Sequence, residues 1–106
     1  MSQNKLSPDA FETMLQNDTS VQLVDVRTPG EFQSGHIAGA KLIDFQSADF
    51  AQKIAQLDKN RPVMVYCAVG GRSANAAKQC TKMGFSNVYD LKGGITAWKE
   101  KGKVVE

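Results

Sequence analysis

The sequence predicts an α/β fold in which a mainly parallel β-sheet carries helices on both faces. Apolar runs rich in β-branched residues alternate with segments of helical periodicity, and this alternation is typical of βαβ units. The strongest run, residues 62–67, is apolar throughout, as expected for a strand covered on both sides. A chain of 106 residues can bury a core of its own, so we expect a single domain over residues 1–106.

The amino-terminal half is predicted to begin with a helix and to continue with two strands. Ser7 supplies a capping side chain and Pro8 suits the first helical position, which predicts a helix over about 8–17. Apolar runs predict strands at 21–26 and 40–43. The segment 28–39 between them is rich in glycine and polar residues, and we expect a loop there.

The carboxy-terminal half repeats the alternation of helix and strand. Ser47 is placed to cap a helix that runs to Leu57, because apolar residues recur along one face. A later helix is expected to stop at Gly84, where a left-handed residue is usually found. The remaining predictions are strands at 62–67 and 87–90 and helices at 73–83 and 94–101.

Charge and hydropathy exclude several classes of partner. Thirteen Lys and Arg residues oppose eleven Asp and Glu residues, without any block of like charge, so we expect no nucleic-acid or membrane partner. The longest apolar runs have four or five residues, far short of the ~20 that span a bilayer. The first twenty residues lack the pattern of a signal peptide. We expect a soluble, cytoplasmic protein, with a mature fragment of an exported protein as the alternative.

The strongest predicted strand ends at Cys67, and the residues that follow suit a nucleophilic site. Gly70 and Gly71 let the backbone curl around the sulfur and approach a bound oxyanion. Successive N–H groups ahead of a helix form an anion cradle, to which the helix dipole adds. A thiol held there, near the cation of Arg72, is expected to ionise readily and to attack as a thiolate. The alternative is that Cys67 is a small buried apolar residue.

The interval between Cys67 and Arg72 separates two chemistries. A cysteine phosphatase needs a longer loop between nucleophile and arginine, so that a phosphoryl group fits over the sulfur. Only four residues lie between Cys67 and Arg72. This interval favours a smaller group on the nucleophile, such as a single transferred sulfur atom. A cysteine phosphatase or an arsenate reductase stays open as the less favoured reading.

Three stretches of the chain resemble motifs of the rhodanese family of sulfurtransferases. Residues 67–73, with the sequence CAVGGRS, look like the active loop of that family. Residues 23–32 followed by 35–40 resemble its amino-terminal signature, and residues 91–98 resemble its carboxy-terminal one. Together the matches extend from about residue 21 to residue 99.

The resemblance implies a five-stranded, mainly parallel sheet and a persulfide carried on Cys67. The sulfane sulfur would come from a donor such as thiosulfate and pass to cyanide or to a small-molecule or protein thiol. The loop that binds the persulfide would comprise Ala68, Val69, Gly70, Gly71, Arg72 and Ser73. Neither a metal nor an organic cofactor is implied, and the domain would act as a monomer or homodimer.

An alternative of another class is a persulfide carrier or binding module that serves a protein partner. The apolar residues Ala68 and Val69 at the start of the loop keep this reading open, because basic residues in this loop favour thiosulfate in some members of the family.

Asp25, Arg27 and His36 are predicted to support the site. The two residues at the end of the first strand share a face, which allows a hydrogen bond from the loop to Asp25 and an ion pair between Arg27 and Glu31. We expect these residues to support the structure of the site rather than to contact the substrate. His36 matches a family motif in which the imidazole orders the loop. One histidine and two separated cysteines do not form a metal site.

Other residues are expected to be structural. Cys80 lies thirteen residues after Cys67 and shares a helical face with Ala76 and Met83, so we expect a buried apolar side chain, with a resolving cysteine as the minor alternative. Trp98 is expected to pack in the core. The lysines near the end of the chain, at 99, 101 and 103, are expected to form a solvated tail.

Overall fold

The computed structural model describes residues 4–106 and contains one five-stranded sheet. Its strands are β1 (Asn4–Leu6), β2 (Gln22–Asp25), β3 (Lys41–Leu42), β4 (Val63–Tyr66) and β5 (Val88–Leu91). Across the sheet they lie in the order β1-β5-β4-β2-β3. Each pair of neighbouring strands is parallel. The carboxyl ends of the strands therefore meet at one edge of the sheet, where the loop after β4 begins.

The described chain has five helices. They are α1 (Pro8–Asn17), α2 (Pro29–Gln33), α3 (Phe50–Ala55), α4 (Gly71–Lys82) and α5 (Gly94–Glu100). Of these, α1 and α5 pack on one face of the sheet and α3 and α4 on the other. Successive residues of β4 point to opposite sides, so that Val65 packs with α3 and α4 whereas Tyr66 packs with α1 and α5. The predicted α/β fold with helices on both faces is confirmed.

Trp98 of α5 packs in the core against α1, as the sequence predicts. Its ring meets that of Phe11 edge-on, with 6.3 Å between the ring centroids. The indole N–H donates to the carbonyl of Val104 at 3.1 Å, so the polar edge of the ring is also satisfied. This bond holds the segment after α5 against the body of the domain.

Two elements differ from the predictions in kind. The strand β1 was not predicted, because two of its three residues are polar. It lies at the edge of the sheet and forms by pairing with β5. The helix α2 lies in the segment predicted as a loop. Thr28 and Glu31 form a capping box there, with Pro29 at the first helical position, and these local contacts outweigh the helix-breaking tendency of Gly30.

Two predicted details were wrong. Ser47 does not cap α3 with its side chain, since its hydroxyl binds the carboxylate of Asp49, and the helix begins only at Phe50. Lys103 is not part of a solvated tail. Its ammonium lies 2.9 Å from Asp9 Oδ1 and 2.7 Å from Glu12 Oε1, so it fastens the end of the chain to α1.

Within residues 4–106, no helix combines the length and the apolar character needed to cross a membrane.

Candidate active site

Cys67 is buried at the end of β4, and the backbone that follows closes around its sulfur. The Sγ atom accepts hydrogen bonds from the N–H groups of Gly70, at 3.1 Å, and Ser73, at 3.3 Å. Gly70 has φ of +118°, in the left-handed region where a side chain would be strained. The helix α4 begins at Gly71, two residues earlier than predicted, so its amino terminus faces the sulfur. The predicted cradle is present and is occupied by the thiol itself.

The amino terminus of α5 holds the start of this loop in place. The N–H of Ile95 donates to the carbonyl of Cys67 at 2.9 Å, and the N–H of Thr96 donates to that of Ala68 at 3.1 Å. Gly93 and Gly94 both have positive φ, at +77° and +63°. The sequence pattern at 91–98 suggested a family motif, but only the structure shows that the glycines let α5 approach the loop after Cys67.

Ser73 links the sulfur to a buried carboxylate that sequence reasoning missed. Its hydroxyl donates to Asp90 Oδ1 at 2.6 Å, and its oxygen lies 3.4 Å from Cys67 Sγ. Lys5 of β1 neutralises Asp90 through a contact of 2.8 Å to Oδ2. An aspartate inside the apolar run of β5 was the available sign of such a role, since a buried charge needs partners. The contacts of Asp90 with Lys5 and with Ser73 together fix the position of the Ser73 hydroxyl beside Sγ.

Arg72 forms a two-pronged ion pair with Glu31 of α2. Its terminal nitrogens lie 2.7 Å and 3.0 Å from the two carboxylate oxygens of Glu31. The pair between Glu31 and Arg27 that the sequence allowed does not form, because the loop after β4 brings Arg72 to α2 and Arg27 pairs with Asp25. The hydrogen bond from Arg72 lowers the pKa of Glu31 from its ordinary 4.5 to about 2. The pair is charged throughout the neutral range.

Stability should depend on this pair in a pH-dependent way. Because the pKa of Glu31 is lower in the folded protein, its contribution is present above pH 4.5 and is lost as the pH falls towards 2. Replacing Glu31 with Gln is expected to destabilise the fold at neutral pH by about 1 kcal/mol or less, since a partly exposed pair is screened by water. Urea unfolding should show this difference shrinking at about pH 3. A difference that stays constant with pH would assign the effect to something other than the charge of Glu31.

Asp25 and Arg27 form a buried ion pair at the end of β2, with 2.7 Å between Arg27 Nη2 and Asp25 Oδ2. The same nitrogen donates to the carbonyl of Gly35 at 2.6 Å, and the guanidinium lies over the ring of Tyr66. The carboxylate of Asp25 accepts hydrogen bonds from the backbone N–H and the guanidinium of Arg27. Within residues 4–106 it accepts none from the Cys67 loop, so the bond that the shared strand face allowed is not formed. The pair ties the segment after β2 to the sheet.

His36 orders the segment around α2 and makes none of its described contacts with the Cys67 loop. Its ring stacks on Phe32 with centroids 3.8 Å apart, and Nδ1 lies 3.0 Å from the carbonyl of Phe32. The backbone of His36 exchanges two hydrogen bonds with Glu106, at 3.0 Å and 2.7 Å. His36 therefore stabilises α2, the helix that carries Glu31, and none of its described contacts is with Cys67 Sγ.

Cys80 is fully buried on α4 among apolar side chains, and burial raises the pKa of its thiol to about 11. It is therefore held as a neutral thiol at neutral pH, which makes it a poor nucleophile. We expect Cys80→Ala to keep activity within about twofold of the wild type and to lose about 1–2 kcal/mol of stability. Turnover assays and urea unfolding check both parts. A folded Cys80→Ala protein without activity would contradict a mechanism that uses one cysteine.

The described residues contain no group of three or more His, Cys, Asp or Glu side chains arranged to hold a metal ion. The chemistry that the site can perform is that of a buried sulfur held by backbone donors. Such a site can attack a small electrophile and stabilise a negative charge on the sulfur.

The chain is similar in sequence and in structure to known proteins. The family described as Rhodanese-like domain matches residues 7–101 of the chain. The chain is 43% identical over 81 residues to thiosulfate sulfurtransferase GlpE of Shewanella oneidensis, covering 76% of this chain and 78% of that protein. It is similar in structure to a rhodanese-related protein of Thermoplasma volcanium, with a TM-score of 0.85, 27% identity and 97% of each chain covered. A Rhodopseudomonas palustris protein of unknown function, described as a possible tyrosine phosphatase, gives a TM-score of 0.79 and 33% identity, covering 99% of this chain and 86% of that one.

Proposed function

The chain belongs to the rhodanese-like domain family, and on that premise we propose that it is a sulfurtransferase that carries sulfane sulfur as a persulfide on Cys67. The observation that carries the proposal is the pair of N–H groups, from Gly70 and Ser73, that donate to Cys67 Sγ. These donors stabilise a negative charge on sulfur without any rearrangement. The relative from Shewanella oneidensis is a thiosulfate sulfurtransferase, which supports thiosulfate as a donor that the site can use.

In the first step, the thiolate of Cys67 attacks the outer sulfur of thiosulfate. A bond forms between Sγ and that sulfur, the sulfur–sulfur bond of thiosulfate breaks, and sulfite leaves with its electron pair. The product is a persulfide anion on Cys67. The loop, from Ala68 to Ser73, surrounds the new sulfur with backbone, and its short length suits one extra atom more closely than a phosphoryl group.

In the second step, an acceptor nucleophile such as cyanide attacks the outer sulfur of the persulfide. The new bond gives thiocyanate, and the electrons of the broken sulfur–sulfur bond return to Cys67 as a thiolate. Gly70 and Ser73 already donate to that sulfur, so the leaving group is stabilised as it forms. A thiol acceptor would follow the same course and become a persulfide itself. The proposed partners are therefore a small sulfur donor and a thiophilic acceptor.

The steady-state rate of thiocyanate formation from thiosulfate and cyanide tests the proposal, with an aryl phosphate assayed under the same conditions. We expect thiocyanate formation and no phosphate release. Phosphate release without sulfur transfer would favour the cysteine phosphatase reading instead. A persulfide that forms once per protein but turns over only with a protein partner would favour the carrier reading, for which the exposed side chain of Val69 is the supporting observation.

A further inference from the structure

Glu31 supplies the carboxylate that pairs with the cation of the Cys67 loop. Arg72 is the one cation in the loop 67–73, and both of its terminal nitrogens are bound to the carboxylate of Glu31. Glu31 is itself held by the backbone N–H and the hydroxyl of Thr28, each at 3.1 Å from Oε1. The carboxylate of Glu31 is thus oriented from both sides, and it balances the charge of Arg72 in the absence of substrate.

The other groups around the loop offer little to a multiply charged anion. Val69 at the rim is apolar and 69% exposed. Asp44 is a second carboxylate close enough to act electrostatically on Arg72, and Asp90 accepts a hydrogen bond from Ser73 and pairs with Lys5. Arg72 and Lys5 are thus each already paired with a carboxylate, and a strongly hydrated dianion would lose water without gaining an unpaired positive charge from them.

We propose that Glu31 is a specificity-determining residue, which keeps Arg72 from binding dianionic donors and so favours sulfane donors that carry one negative charge or none. This inference rests on the proposed sulfurtransferase function and names the donor class of the same site. Thiosulfate would be a usable donor but a poor one, and a persulfide on an apolar or protein thiol would suit the rim better.

Two donors of matched chemistry separate the effect of charge from that of reactivity. Thiosulfate is a dianion, and methanethiosulfonate carries a methyl group in place of one oxygen anion. Both give one sulfur to Cys67: the bond to Sγ forms, the sulfur–sulfur bond of the donor breaks, and sulfite or methanesulfinate leaves with the electron pair. Any difference between them in a variant therefore reports on the charge.

The variant Glu31→Gln removes the charge and keeps the cap, since glutamine also serves in a capping box. We expect kcat/KM for thiosulfate to rise roughly fivefold, mostly through KM, because the charge of Arg72 becomes available to the donor. For methanethiosulfonate we expect a change of less than about twofold. In the Arg72→Gln background, Glu31→Gln should give no selective gain. The control is Asp44→Asn, which removes a nearby carboxylate that has no hydrogen bond to Arg72 in the structure.

Several results would overturn the inference. They are an equal change for both donors, a lower kcat/KM for thiosulfate in Glu31→Gln, or an equal gain in Asp44→Asn. The wild-type protein offers a test that requires no variant: kcat/KM for thiosulfate should stay level or rise with ionic strength, and a steep fall would show that Arg72 already binds the dianion. If neither donor forms a persulfide on Cys67, the proposed function itself fails.

Discussion

The variant Cys67→Ala is expected to lose sulfur transfer altogether, by roughly a thousandfold or more, because the persulfide has no other atom to form on. The fold should persist, since the change removes one buried sulfur atom and leaves the backbone of the loop intact. We expect a loss of about 1 kcal/mol in the free energy of unfolding. Thiocyanate formation and urea unfolding measure the two quantities on the same preparation.

The matched control for this variant is Cys80→Ala, which removes the other buried thiol and is expected to keep its activity. Residual turnover in Cys67→Ala that disappears when Cys80 is also replaced would show that Cys80 can carry the sulfur. Residual turnover that survives both replacements would contradict covalent catalysis by cysteine.

A single methyl group at Gly94 is expected to damage both stability and activity. A Cβ atom there would lie 2.4 Å from the carbonyl oxygen of Ala68 and 2.6 Å from that of Cys67, and φ is +63°. The helix α5 would have to move away from the loop, which breaks the bonds from Ile95 and Thr96. We expect Gly94→Ala to lose roughly 2–4 kcal/mol of stability. A displaced sulfur should also reduce kcat/KM by about a hundredfold.

Gly30→Ala is the matched control for this substitution. Gly30 lies in α2, nothing lies within 4 Å of its added Cβ, and its φ is outside the left-handed region. Alanine is the better helix former, so stability should stay level or rise slightly. Wild-type activity and stability in Gly94→Ala would show that the contact between α5 and the loop has no part in holding the sulfur.

The parts of the fold that the sequence predicted well are those with a local cause. The apolar run that ends at Cys67, the turn containing Gly70 and the stop at Gly84 are each determined by neighbouring residues, and the structure has them at the expected places. Gly84 has φ of +101°, as its position after α4 requires.

The features that the sequence did not predict depend on contacts between distant residues. The strand β1 needs β5, which lies more than eighty residues later in the chain. Arg27, four residues earlier, was a possible partner for Glu31 by sequence, but Glu31 binds Arg72, 41 residues later. The capping box of α2 was readable from the spacing of Thr28 and Glu31, and the glycine-rich composition of the segment hid it.

Asp90 shows the same limit at the site itself. Its spacing from Ser73 carries no motif, and only the parallel pairing of β5 with β4 brings the carboxylate to the loop. A charged residue within an apolar strand predicts that a partner exists, but the sequence does not show which residue the partner is. The backbone cradle around Cys67 was predictable because all of its members are consecutive in the chain.

The most direct test is the intact mass of the protein after brief incubation with thiosulfate, followed by cyanide. The persulfide mechanism predicts a gain of the mass of one sulfur atom in the wild type and in Cys80→Ala, none in Cys67→Ala, and loss of the gain on adding cyanide. The same experiment with methanethiosulfonate covers the case in which thiosulfate reacts slowly. A protein that gains no sulfur from either donor, or gains it equally in Cys67→Ala, would contradict a persulfide on Cys67.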